Sequence, residues 1–63
     1  MKVLAKIDRR LNELKTPQTA KELGRYFAVN ESTAAQALRE LHQMGEVQKM
    51  TIKGRNLYWK QHE

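Results

Sequence analysis

Leu4, Ile7, Leu11 and Leu14 recur at alternating spacings of three and four residues, with Val3 beside them. That rhythm predicts one apolar stripe along a helix over residues 2–14, with Lys2, Lys6, Arg9, Arg10 and Glu13 facing outward. The same 4-7-11-14 pattern also suits a short coiled-coil seam, although two heptads are few for one, and a core-facing stripe is the preferred reading. Pro17 ends the segment and biases Thr16 toward an extended backbone. Thr19 and Glu22 have the spacing of a capping box, which predicts a second helix over 20–27 burying Ala20, Leu23 and Phe27. Gly24 inside so short a helix costs about 1 kcal/mol relative to Ala, which a close approach by a neighbouring helix would justify. Asn30 then serves as N-cap for a third helix over 31–44, with Glu31 at the positive end of its dipole. Its inner stripe is Ala34, Ala37, Leu38, Leu41 and Met44, and Gly45 is its stop.

Beyond Gly45 the period shortens. Val47 to Ile52 and Leu57 to Lys60 are rich in β-branched and aromatic residues, separated by Lys53-Gly54-Arg55-Asn56, so a β-hairpin is predicted within 47–60. Val47 and Met50 fall on opposite faces of the first strand, which requires either a bulge or a later start. Tyr58 and Trp59 must face opposite sides, one toward the core.

Three helices and a hairpin over 63 residues make one small α+β domain, a size at which the apolar core is thin. A deep catalytic pocket would remove contacts such a core cannot spare. No Ser-His-Asp set, paired-carboxylate cleft or Gly-rich phosphate loop is present, so enzymatic activity is disfavoured. With no cysteine, neither a disulfide framework nor a thiolate metal site is available, and a cytoplasmic location is expected. His42 and His62 lack partners at ligand spacing, so no metal and no cofactor are expected. No apolar run approaches bilayer-spanning length, so no membrane partner is expected.

The net charge is +5, which favours a polyanionic partner. It is unevenly placed: residues 1–15 carry +3, residues 16–46 carry −1 and residues 47–63 carry +3.

The order of elements, with the second and third helices three or four residues apart, resembles the winged helix-turn-helix superfamily. Residues 19–49, TAKELGRYFAVNESTAAQALRELHQMGEVQK, resemble its core: a T-x-x-E-L start, a Val at the turn, a cap, an A-L-x-x-L helix and a G-x-V exit into the wing. The continuation G-R-N-L-Y-W is similar to the closing strand of the small regulators of bacterial fimbrial operons. Two other branches fit less well. The Z-form nucleic-acid binding domains imply an Asn and a Tyr on the third helix and prolines in the wing, where this chain has Ala35, Arg39 and no proline. The winged helix proteins of ferrous-iron transport carry a cysteine-rich wing, which this chain lacks.

The resemblance implies sequence-specific binding of double-stranded DNA by a transcriptional regulator, bacterial or from a mobile element. Its specificity would come from a homodimer or from a second DNA-bound regulator. Ser32, Ala35, Gln36 and Arg39, with Thr33, would then meet the major groove: short side chains allow close approach, Gln suits adenine and Arg suits guanine. They equally suit a solvated helix face. Lys49, Lys53, Arg55 and Lys60 on the wing would contact phosphates, although lysines also protect an edge strand from aggregation. Lys21 and Arg25 would brace the backbone from the second helix. Against this, positions 31–46 carry a balance of −2, and Glu40 and Glu46 are expected to point away. The rival expectation is a protein-interaction module on the same fold, touching no DNA.

Overall fold

The local patterns become five elements in the computed structural model, which describes residues 2–60: α1 (Val3–Glu13), α2 (Ala20–Phe27), α3 (Glu31–Gln43), β1 (Gln48–Ile52) and β2 (Arg55–Trp59). His62 lies outside the described residues. Ile7 and Leu11 are completely buried, together with Leu23, Ala34, Leu38, Leu41 and Val47, in a single core. Val3 and Leu4 pack against its margin, while Leu14 caps α1 in an extended conformation and is half-buried. The stripe on α1 is thus consumed inside the domain, and Ile7 and Leu11 are not available as a seam.

The Thr19–Glu22 capping box forms as the spacing predicts. The Glu22 amide donates to Thr19 Oγ1 at 3.1 Å and the Thr19 amide donates to Glu22 Oε1 at 3.3 Å. Asn30 does occupy the N-cap position of α3, but its side chain makes no capping bond. Gly24 is where α2 meets the backbone entering α3. A Cβ there would lie 3.0 Å from the Val29 carbonyl oxygen and 3.4 Å from the Glu31 Cα. The close neighbour is therefore the turn and the first residue of α3.

The expectation for Met44 is corrected. α3 stops at Gln43, and Met44 is 64% exposed. Gly45, at φ +79°, reverses the chain, and the Glu46 amide bonds back to the Leu41 carbonyl at 2.9 Å, the closure of a Schellman turn. That turn carries Met44 away from the core and delivers Val47 into it instead, 2% exposed.

The hairpin also differs in detail. Its register runs without interruption from Gln48↔Trp59 to Ile52↔Arg55, so the strand starts late, after Val47, and has no bulge. The connecting loop is the two residues Lys53 and Gly54, both with positive φ (52° and 77°), rather than four. Two left-handed residues are the type I′ pattern, whose twist matches that of the strands. Arg55 and Asn56 therefore belong to β2. Tyr58 is the core residue of its pair, 3% exposed, and Trp59 is half-buried on the opposite face.

One pairing has no counterpart in the sequence pattern. Gln18 and Tyr58 exchange two backbone hydrogen bonds of 2.8 Å, so β2 is flanked by β1 on one side and by Gln18 on the other. Among the described residues, no helix is long and apolar enough to cross a membrane.

Candidate nucleic-acid interface

The face of α3 opposite the core is set by what the inner stripe buries. With Ala34, Ala37, Leu38 and Leu41 inward, Ser32, Gln36 and Arg39 project from the opposite side, and all three are exposed. Gln43 extends that stripe by one more turn and is exposed as well. The sequence contains the signal for it, since it lies four residues past Arg39. Thr33 is exposed on the flank shared with Glu40, off the outward stripe. Ala35, half-buried, lies on the other flank, toward the wing.

Between that flank and the wing lies a groove of about 490 Å³. Ala35 and Glu31 of α3, Lys21 at the start of α2, and Gly54, Arg55 and Asn56 of the wing line it. Asn56 could not be placed there from sequence, because its position depends on the hairpin register. Its side chain is held by Thr51, whose hydroxyl donates to Asn56 Oδ1 at 2.9 Å across the strands. Glu31 brings one negative charge into the same groove, beside Lys21 and Arg55. Arg25, one turn beyond Lys21, continues the positive edge along α2 and lines a second concavity with it.

The four wing cations do not form one cluster. Lys49 pairs with Tyr58 and so stands on the strand face of Tyr58, Thr51 and Asn56. Arg55 pairs with Ile52, on the opposite face with Met50, Leu57 and Trp59. Lys53 sits in the turn, exposed. Lys60 is engaged elsewhere: its ammonium lies 2.9 Å from Asp8 Oδ1 and 3.7 Å from Glu46 Oε2, with the side chain only 19% exposed. Asp8 Oδ1 is buried and accepts no hydrogen bond from the described residues, so the nearby ammonium compensates it as a charge. Lys60 therefore ties the end of β2 to α1, and Glu46 is drawn to the same pair.

No protein-family model matches this chain, and no curated protein matches it significantly. A solved structure from work on the DNA recognition and protein interaction domains of HOP2, and on its homologous DNA pairing properties, does resemble it. The two superpose with a TM-score of 0.84 at 20% sequence identity, covering 95% of this chain and 100% of that one. Three helices followed by an antiparallel hairpin, superposing this closely, make the fold of this chain a winged helix.

Proposed function

We propose that this domain binds double-stranded DNA, with α3 in the major groove and the wing along the backbone. The observation that carries this reading is the outward stripe of α3. Ser32 is short and near the helix N-terminus, and Gln36 and Arg39 are longer donors on the following turns, all exposed and on the side away from the core. Lys21, Arg25, Lys49, Lys53 and Arg55 are the backbone contacts in this reading. Thr33 and Ala35 border the stripe, and Lys60 is left out because two carboxylates hold it. The HOP2 structure, from work on DNA recognition and protein interaction domains, is in keeping with the same use of the fold. Transcriptional regulation, on one half-site per domain, is the role we assign.

A second reading, docking on a protein without DNA contact, is favoured by Glu31 in the α3–wing groove. Titration of labelled duplex at several salt concentrations separates the two. Four to six phosphate contacts give a slope of log K against log[salt] of about −4 to −5. Absence of duplex binding at low salt, or a slope near zero, rejects the DNA reading in favour of the protein one.

A further inference from the structure

The cations of α1 are not explained by the α3–wing groove. Lys6, Arg9, Arg10 and Glu13 line a separate groove of about 290 Å³ between α1 and α2, with Tyr26 and Phe27 as its other wall. Tyr26 stands between this groove and the neighbouring concavity edged by Lys21 and Arg25. The acids of the region are already engaged: Glu13 lies 3.8 Å from Arg10, and Glu22 is held in the capping box. Lys6 and Arg9 are exposed and pair with no described carboxylate.

Tyr26 is 59% exposed, yet its plane is fixed. Phe27 meets it edge-on, with centroids 4.8 Å apart at 88°. The Arg10 guanidinium covers one face of the ring, 4.1 Å from its centroid, so a base can stack only on the other. An exposed, oriented aromatic ring flanked by unpaired cations combines a stacking surface with phosphate contacts. We propose that the α1–α2 groove binds single-stranded nucleic acid, with Tyr26 stacking on a base and Lys6 and Arg9 meeting phosphates. A duplex offers this ring only base edges, because its base faces are already stacked. An acidic peptide neutralises the cations but leaves the ring without a flat partner. A strand with unstacked bases satisfies both features. The proposal shares none of these three residues with the α3–wing reading, although Tyr26 borders the concavity of Lys21 and Arg25.

The test is fluorescence anisotropy of a labelled oligothymidylate at about 0.15 M salt, where charges more than about 8 Å apart are screened, with duplex binding measured in parallel. The expected result is oligothymidylate binding that Tyr26→Ala weakens roughly tenfold and Tyr26→Phe preserves. Lys6→Ala/Arg9→Ala should weaken it too and flatten its salt slope by about 1.4. Duplex affinity should be unchanged in all three variants. Displacement by duplex does not discriminate, because Tyr26 shares a concavity with Lys21 and Arg25, which the duplex reading uses. If Tyr26→Ala fails to fold, the exposed Lys6→Ala/Arg9→Ala pair decides alone. Oligothymidylate binding that is indifferent to these changes overturns the proposal, and so does an equal loss of duplex affinity in the same variants. So does binding of polyglutamate, dependent on Lys6 and Arg9, in place of the oligonucleotide.

Discussion

Arg39 and Lys53 are both exposed cations, yet the duplex-binding proposal gives them different work. Arg39 projects from the middle of α3, where a guanidinium can make two parallel hydrogen bonds to a guanine edge. Lys53 sits in the wing turn, where an ammonium acts on a phosphate as a point charge. Arg39→Ala should therefore narrow the gap between cognate and random duplex, by about 1–3 kcal/mol. Lys53→Ala should weaken both duplexes alike and lower the salt slope by roughly one unit. Paired titrations of each variant check this, and an equal loss on both duplexes for Arg39→Ala would remove α3 from base reading. A different residue bears on stability. Ala28 closes α2 in the left-handed conformation, φ 55° and ψ 43°, which an L-side chain adopts at a cost and glycine does not. Ala28 is exposed, so its methyl contributes little packing. Ala28→Gly should stabilise the domain by about 0.5–1 kcal/mol, read as a higher midpoint in urea.

At the level of elements, the wing is joined to the helices by contacts other than those of the hairpin itself. Gln18 adds a backbone pairing to β2, Tyr58 inserts into the core, and Lys60 reaches Asp8 on α1. Lys60→Ala removes the one cation that lies beside the buried Asp8 oxygen among the described residues. It should cost about 1–2 kcal/mol, for the penalty of an uncompensated polar group. Duplex affinity and salt slope should stay unchanged, because this ammonium is not among the proposed phosphate contacts. A drop in slope without a drop in stability would return Lys60 to the interface. The hairpin was legible in its residue types and in Gly54, but the extent of its loop was not. Lys53 adopts a positive φ without being glycine or asparagine, so residue type alone does not mark it as a turn position.

As a whole molecule the domain measures 28 × 27 × 20 Å and depends on one small core. A domain of about 60 residues buries only about 60% of the surface its unfolded chain exposes, so its margin is narrow. Leu11 is completely buried, and Leu11→Ala should cost about 2–5 kcal/mol, enough to unfold most of the population. Circular dichroism melting checks it. Since α1 spends Ile7 and Leu11 on the core, the free protein should sediment as a monomer at micromolar concentration. A stable dimer that Leu11→Ala dissociates without unfolding the chain would show that the stripe serves a partner.

The fold and much of the candidate site were written in local pattern. The stripes of α1 and α3, the Thr19–Glu22 box and the Gly45 stop each depend on residues within a turn or two of one another, and each appears where the spacing puts it, Met44 at the end of the α3 stripe excepted. The outward stripe Ser32, Gln36 and Arg39 follows for the same reason, since a helix that buries one side must expose the other. What depends on distant parts of the chain was decided only in the folded molecule. A single residue such as Gln18 has no periodicity, so its pairing with Tyr58 exists only once the helices have brought the two together. Lys60 reads as one more wing cation until packing places Asp8 beside it. The exposure of Met44 and the burial of Val47 depend on where the chain points after Gly45. The separation of the basic side chains into an α3–wing groove and an α1–α2 groove has the same origin. Net charge sums over the chain, whereas binding depends on which charges share a face, and tertiary structure alone sets that.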